Sequence, residues 1–194
     1  MYKKKYFKYY VFLEKINEII KNNLLKFKNI NVIINIKNVN QRNIEKTLLI
    51  IKFCKNNKIP FFLRDNYQLC SKYHSNGVFL SADNKQKIRP LLLKKNFKII
   101  GSAHNQFEYL LKMNQGCKLV MLSPLFFNKK YSENKILGLL KFNLISRDWK
   151  IDLCALGGLR EANIRKIKLT VANSIAFKRL IKDPKIKKPT YKLM

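Results

Sequence analysis

Eight short apolar runs, separated by longer amphipathic segments, constrain the fold of this chain most. The runs are rich in β-branched and aromatic residues, as expected of strands, and the longer segments have the apolar spacing of helices. Strands that alternate with helices form parallel sheets. The predicted strands are 7–13, 31–36, 59–63, 77–80, 98–101, 119–122, 151–155 and 174–177.

The intervening segments predict seven helices, and the one at 40–57 has the clearest pattern. Ile44, Leu48, Ile51 and Phe53 are predicted to share its buried face. Eight strands with a helix after nearly every one predict an α/β fold, a compact (β/α)₈ TIM barrel with eight parallel strands. A doubly wound open sheet is the alternative. The other predicted helices are 15–27, 66–73, 85–95, 106–115, 137–146 and 161–167.

The length of the chain predicts one domain. Its 194 residues, 47% of them hydrophobic, suffice for one core, and no linker or repeat divides them. We expect a single barrel domain at 1–181. Residues 182–194 are rich in lysine and proline and predict a basic C-terminal tail.

The net charge of +30 is the usual mark of a protein that binds nucleic acid. Here the excess is nearly all lysine, and it is spread along the whole chain together with many Asn and Ile residues. Specific nucleic-acid readers concentrate Arg and aromatic residues in one patch. The charge therefore favours a solvated lysine surface over specific nucleic-acid binding, which stays as an alternative of a different class.

The cysteines and histidines give little sign of a metal centre. Four cysteines lie in apolar segments without C-x-x-C spacing, which predicts buried thiols in a reducing compartment, and neither histidine has the spacing of a zinc ligand. No apolar window is long enough to cross a membrane, and the N-terminus lacks the pattern of a signal peptide. We expect a cytoplasmic protein that does not bind membranes.

Polar residues follow most of the predicted strands, where the chemistry of such barrels lies. They include carboxylates that suit Mg²⁺, several cations, and two glycines that suit a phosphate. This set predicts a phosphorylated substrate bound together with Mg²⁺. The residues are Asn35, Lys37, Arg64, Asp65, Asp83, Asn84, Ser102, His104, Ser123, Asn128, Lys130, Gly157, Gly158, Lys178 and Arg179.

Five sequence motifs lie between residues 31 and 181. They are FLRDNYQL at 62–69, NGVFLSAD at 76–83, IGSAH at 100–104, LSPLF at 122–126 with LGL at 137–139, and ALGGL at 155–159 with Asn163. No single motif is specific, but in their order and spacing they resemble the thiamine-phosphate synthase and thiazole tautomerase superfamily.

The resemblance implies a TIM barrel that joins hydroxymethylpyrimidine diphosphate to thiazole phosphate. In the family the pyrimidine ionises, pyrophosphate leaves, and the thiazole nitrogen captures the carbocation. The residues that fall on the family's catalytic positions are Ser102 and His104, and the resemblance implies that they are catalytic. It implies Asn35, Lys37, Arg64, Lys130, Gly157 and Gly158 as substrate-binding residues.

The resemblance also implies Mg²⁺, held by Asp65 and a second aspartate after the fourth strand. That second position falls on Asn84, so Asp83 has to substitute. The family's second-strand motif, Gln-x-Arg-Glu-Lys, falls on residues 35–39, so that its last lysine is Val39 here. Asp65 has an alternative interpretation as a helix N-cap, and the two glycines as a tight turn.

Three other functions stay open. In the tautomerase branch a histidine at the position of His104 acts as acid and base, and no pyrophosphate site is required. A non-catalytic barrel that only senses a phosphorylated ligand is the second. A nucleic-acid-binding protein is the third.

Overall fold

Eight parallel strands close into a barrel in the computed structural model, which describes residues 7–35, 41–86, 96–128 and 132–186. Each strand pairs with its sequence neighbours, and β8 closes the barrel by pairing with β1, Lys8 lying opposite Ser174. The predicted (β/α)₈ barrel is confirmed, and the open sheet is excluded. The strands are β1 (Lys8–Leu13), β2 (Ile30–Ile34), β3 (Phe61–Arg64), β4 (Gly77–Leu80), β5 (Lys98–Ala103), β6 (Leu119–Leu122), β7 (Asp152–Leu156) and β8 (Ser174–Phe177).

Helices cover the outside of the barrel and connect the strands. The predicted helix at 85–95 lies outside the described residues except for Lys85 and Gln86, which are not helical. The predicted helix at 161–167 is a single short helix followed by a 3₁₀ segment, Arg165–Leu169. The helices are α1 (Glu18–Leu25), α2 (Gln41–Asn56), α3 (Tyr67–Tyr73), α4 (Gln106–Asn114), α5 (Gly138–Ser146) and α6 (Glu161–Ile164).

The buried face of α2 differs from the predicted one. Leu48 is 41% exposed, whereas the fully or nearly buried residues are Thr47, Ile50, Ile51 and Cys54. These four positions have the i, i+3, i+4, i+7 spacing of one helix face. Four consecutive apolar residues at 48–51 leave the face ambiguous in the sequence, so the prediction that included Leu48 was wrong.

Two apolar layers form the core, one on each side of the sheet. The larger lies between strands and helices and includes Val11, Leu63 and Val120. Successive side chains of a strand point to opposite faces, so the alternate residues fill the barrel. This interior layer consists of Tyr10, Ile33, Phe62, Phe79, Ile100, Leu119, Met121, Cys154 and Ala176, with Phe12 and Leu156 packed against it.

The prediction of buried thiols agrees with the described residues. All four cysteines are free and buried. Burial raises the pKa of the Cys54 and Cys117 thiols to about 12, so these thiols stay protonated. Within the described ranges, no helix combines the length and the apolar character needed to cross a membrane. Beyond β8 the described chain continues to Ile186, which packs in the larger core layer.

Candidate active site

The polar residues of the site lie one step beyond the interior apolar layer. Phe12, Ile33, Phe62, Phe79 and Ala176 fill the barrel, so the residue two positions later on each chain segment faces the same way at the C-terminal end of its strand. We call this end the barrel mouth. The residues are Glu14, Asn35, Arg64, Ser81 and Lys178, all of which form the contacts described below.

Hydrogen bonds connect these side chains around the mouth, from β8 to β3. Lys178 Nζ donates to Glu14 Oε1 over 2.8 Å, and Asn35 Nδ2 donates to the same oxygen over 2.9 Å. Asn35 Oδ1 accepts from Arg64 Nη1 over 2.8 Å. Arg64 Nε then donates to Asp65 Oδ2 over 3.0 Å. The predicted residues Asn35, Arg64 and Asp65 are therefore in direct contact.

Glu14 lies between Lys178 and Asn35 in this series of hydrogen bonds. Partial burial by itself raises the pKa of Glu14, but the hydrogen bond and charge of Lys178, helped by Asn35 and Lys182, lower the pKa below its ordinary value. Glu14 is therefore ionised at neutral pH and holds Lys178 and Asn35 in place.

Asp65 organises the loop that follows β4. Its Oδ1 accepts from Ser81 N over 2.9 Å and from Asn84 Nδ2 over 2.8 Å. Its Oδ2 accepts from Ser81 Oγ over 2.5 Å as well as from Arg64. The backbone of Asp65 is left-handed, with φ of 49°, a conformation that costs a non-glycine residue free energy and is held here by these bonds.

The helix-cap interpretation of Asp65 was wrong. The N-cap of α3 is the next residue, Asn66, whose side-chain oxygen accepts from Leu69 N over 2.9 Å. The Asp65 carboxylate thus does not cap α3; its partners are Arg64, Ser81 and Asn84.

Asp83 and Asn84 have different roles in this loop. Asn84 contacts Asp65 directly, whereas Asp83 is exposed. The Ser81 side chain and the backbone of Asp83 itself lower the pKa of Asp83, and the charges of Arg64 and Lys112 add to this shift. The amide of Asn84, and not the carboxylate of Asp83, is therefore the group bonded to Asp65.

A buried lysine of helix α4 is hydrogen-bonded to the same loop. Lys112 of α4 is fully buried, and its Nζ donates to Asn84 O over 2.7 Å and to Gln115 Oε1 over 3.1 Å. Gln115 Nε2 donates to the carbonyl oxygens of Asn84 and Gln86. Gly101 makes room for the lysine stem, because a Cβ there would lie 2.9 Å from Lys112 Cδ. Lys112 and Gln115 are thus positioning residues for Asn84.

His104 lies at the end of β5 and contacts the chain after β6. Its Nδ1 is 2.7 Å from Ser123 O and 3.2 Å from Ser123 Oγ. Its backbone N–H donates to Glu108 Oε2 over 2.7 Å. Ser102 is buried two residues earlier on β5, and its catalytic role, like that of His104, stays a prediction.

Internal packing requires the two glycines after β7. Gly157 and Gly158 have φ of 99° and 69°, and a Cβ on Gly158 would lie 2.3 Å from Phe126 O. The loop after β6 pairs with this turn through Leu125 N to Leu156 O, 2.9 Å, and Phe126 N to Gly157 O, 3.1 Å. The turn interpretation of the glycines is therefore confirmed, and phosphate binding by them stays a prediction.

A cavity of about 450 Å³ opens beside the hydrogen-bonded chain, at the ends of β1, β2 and β8. Asn35, Glu14 and Lys178 line it, and Asn43 and Lys46 of α2 and the exposed Lys15 and Lys182 add to its wall. Four lysines against one glutamate make this mouth cavity attractive to an anion. Lys37 and Lys130, the other predicted cations, lie outside the described residues.

The geometry around Asp65 does not fit a magnesium ion. An ionised carboxylate has about four acceptor positions, and four protein donors occupy them, one from a guanidinium cation. Mg²⁺ requires oxygen ligands in near-octahedral geometry, so an ion at Asp65 has to displace one of these donors. Within the described ranges, no three acidic, histidine or cysteine side chains are grouped as a metal site.

Sequence reasoning missed Glu14, Ser81 and Lys112. Glu14 directly follows the first predicted strand, and Ser81 directly follows the fourth. The rule that selected Arg64 and His104 selects these two as well, if applied to every strand. Lys112 has no such signal, because a lysine in an amphipathic helix is normally solvated.

Comparison with known sequences identifies the family of this chain. Residues 12–181 match the profile of the thiamine monophosphate synthase family, a range that includes parts or all of every strand. The thiamine-phosphate synthase of Pelagibacter ubique is 26% identical over 154 residues, 77% of this chain and 74% of that protein. The one of Flavobacterium psychrophilum is 28% identical over 137 residues, 67% and 66% of the two. The match to the Prochlorococcus marinus synthase covers only 37% of that protein.

Solved structures show the same fold. Thiamine phosphate pyrophosphorylase from Pyrococcus furiosus superposes with a TM-score of 0.71 at 19% identity, over 93% of this chain and 89% of that one. The Bacteroides thetaiotaomicron protein of the same name gives 0.57 at 12% identity, over 97% and 90%. At these identities the structural likeness concerns the fold alone. The family match over 170 of 194 positions goes further, and by it this chain belongs to the thiamine monophosphate synthase family.

Proposed function

We propose that this protein is a thiamine-phosphate synthase, which joins hydroxymethylpyrimidine diphosphate to thiazole phosphate. The family match over residues 12–181 carries the proposal. The cations of the barrel mouth support it, because the leaving group of this reaction is a multiply charged anion.

The reaction requires the mouth to hold pyrophosphate while its bond to carbon breaks. The C–O bond of the pyrimidine methylene breaks, pyrophosphate keeps the electron pair, and the thiazole nitrogen donates its lone pair to form the C–N bond. The lysines that line the mouth cavity would stabilise the charge that develops on pyrophosphate, together with Arg64, which is bonded to the cavity residue Asn35. Asn35 and Asp65 hold Arg64 in that place.

The direct test mixes the purified protein with both substrates in Mg²⁺ buffer. Thiamine phosphate is followed by oxidation to a fluorescent thiochrome. We expect product with the native protein and its loss in Asp65→Ala, because that change releases Arg64, Ser81 and Asn84 together. Arg147→Ala, an exposed change beside Asp148, is the matched control. The absence of product with the native protein in Mg²⁺ contradicts the proposal.

A thiazole tautomerase is the second candidate, and the contact of His104 with Ser123 favours it. The carbonyl oxygen of Ser123 accepts from Nδ1, so in the neutral ring Nε2 is the nitrogen with the basic lone pair. Conversion of the thiazole isomer in the absence of any pyrimidine substrate, together with no thiamine phosphate formation, supports this candidate over the synthase.

The location and partners follow from the same proposal. The substrates are small phosphorylated molecules, and Mg²⁺ is the cofactor that the family resemblance implies. Four free cysteines agree with a reducing compartment, which supports the predicted cytoplasmic location.

A further inference from the structure

We propose that the Arg64 guanidinium takes the place of a divalent metal beside Asp65, so that the mouth binds a diphosphate group without a metal ion on that carboxylate. This inference rests on the proposed function for the identity of the ligand. Its structural basis is the set of contacts that Asp65 and Arg64 make with each other and with their neighbours.

The first step is that the Arg64 guanidinium lies against the Asp65 oxygen to which a metal ion would bind. Its Nε lies 3.0 Å from Asp65 Oδ2, and both side chains are about one quarter exposed, at 28% and 27%. A second cation at the same oxygen meets the positive charge of the guanidinium at close range. Arg64 therefore excludes a metal from Asp65 by charge as well as by space.

The second step is that the other acceptor positions of Asp65 are also filled. Ser81 supplies both its backbone N–H and its hydroxyl, and Asn84 supplies its amide. The amide oxygen of Asn84 accepts from Gln86 N over 2.9 Å, so this side chain presents its donor end to Asp65. The loop is thus built around a carboxylate that already has its partners.

The third step is that Arg64 is fixed while part of its guanidinium stays available. Nη1 donates to Asn35 and Nε donates to Asp65, two bonds out of the five donors that an arginine has. The other N–H groups suit the paired oxygens of a phosphate, which a planar guanidinium binds in a bidentate manner. Asn35 lines the mouth cavity, so the ligand would lie between Arg64 and the lysines there.

The test measures metal and ligand separately. Binding of Mn²⁺ alone is followed by electron paramagnetic resonance, and binding of inorganic pyrophosphate by calorimetry, in EDTA and in Mg²⁺. For the native protein we expect no Mn²⁺ binding that depends on Asp65, and pyrophosphate affinity in EDTA within about threefold of that in Mg²⁺.

Arg64→Asn reverses this pattern, because it frees Asp65 Oδ2 from the guanidinium. We expect at least about a tenfold loss of pyrophosphate affinity in EDTA, and partial recovery in Mg²⁺. Arg64→Lys keeps the charge without the planar fork and provides a second variant if Arg64→Asn does not fold. Arg147→Asn removes an exposed arginine elsewhere and is the control.

Two results overturn the inference. One is Mn²⁺ binding by the native protein that Asp65→Asn abolishes, and the other is native pyrophosphate binding that EDTA removes. Neither measurement requires turnover. A protein that forms no thiamine phosphate but binds pyrophosphate in EDTA contradicts the proposed function and leaves the role of Arg64 standing.

Discussion

His104 Nδ1 lies 2.7 Å from the carbonyl oxygen of Ser123, and this contact sets the tautomer of the neutral imidazole. A carbonyl oxygen only accepts, so in the neutral ring Nδ1 carries the proton and Nε2 is the base. The bond from the His104 backbone to Glu108 holds the main chain at the same point. The orientation of the ring is therefore set by two neighbouring elements.

The first prediction concerns turnover. For the tautomerase reaction, in which His104 acts as acid and base, we expect His104→Gln to lower kcat about 10²-fold, the usual size of an acid–base contribution, with little change in the melting temperature. Ser123→Ala is the control, because it removes only the hydroxyl at 3.2 Å and leaves the carbonyl. An equal loss of kcat in Ser123→Ala would show that the ring does not act without the hydroxyl, which contradicts a role of the imidazole alone.

The second prediction concerns the pH dependence of the Glu14 and Lys178 pair. The pKa of Glu14 is lowered in the folded state, so its stabilising effect is present above about pH 4.5 and is lost as pH falls through the lowered value. Both side chains are 45% exposed, and solvent screening limits the effect to about 0.5 kcal/mol.

Lys178→Met tests this pair through urea unfolding at neutral pH and at about pH 3. We expect the variant to be less stable than the native protein at neutral pH and nearly equal in acid. Lys21→Met, which breaks the exposed pair with Glu18, is the matched control. A difference that grows as the pH falls contradicts the prediction.

The third prediction separates packing from backbone strain at two glycines. Gly158→Ala places a Cβ 2.3 Å from Phe126 O and 2.4 Å from Phe126 C, so we expect a loss of at least about 3 kcal/mol in the free energy of unfolding. Gly138 has a similar φ of 62°, but a Cβ there meets nothing within 4 Å. Gly138→Ala should cost only about 1 kcal/mol.

Chemical denaturation of both variants measures these losses. If the two substitutions cost the same, the strain of positive φ accounts for both, and the contact with the loop after β6 is softer than the distances indicate.

The fourth prediction concerns the buried amine of Lys112. Burial lowers its pKa below the ordinary value of 10.5, although nearby acidic groups oppose this shift. Between the lowered pKa and 10.5 the unfolded chain binds more protons than the folded protein, so this residue makes stability rise with pH in that window.

Lys112→Met removes the titrating group and nearly keeps its length. We expect the free energy of unfolding of the native protein, minus that of the variant, to increase from neutral pH toward pH 10. A difference that stays flat over this range means that the lysine is not desolvated. Hydrogen exchange at 84–86 should quicken in the variant, because the bond to Asn84 O is lost.

The barrel was predictable because its strands have a local signature. Gly77–Leu80, Leu119–Leu122 and Ser174–Phe177 have the predicted bounds, and the others differ by one to two residues. Each is a short apolar run between polar segments, so no tertiary information is needed to find it. The buried face of α2 needs such information, because its four consecutive apolar residues at 48–51 lie on more than one side of the helix.

The candidate site was only partly predictable. The position of Arg64 at the end of a strand followed from the sequence, but its contact with Asn35 depends on how β2 and β3 are arranged in space. Sequence patterns do not show that the loop after β4 contacts helix α4. They therefore could not predict that Lys112 supports Asn84, or that Asn84 gives an amide where a carboxylate ligand was expected.

The pairing of β8 with β1 has a consequence for protein synthesis. Glu14 leaves the ribosome more than 160 positions before Lys178, its partner over 2.8 Å. Until then β1 has an open edge, which in a parallel sheet is a place for wrong pairing. A nascent chain that lacks the eighth strand has neither a closed sheet nor the lysine beside Glu14. The proposed binding of an anion at the mouth therefore requires that the last strand has been synthesised.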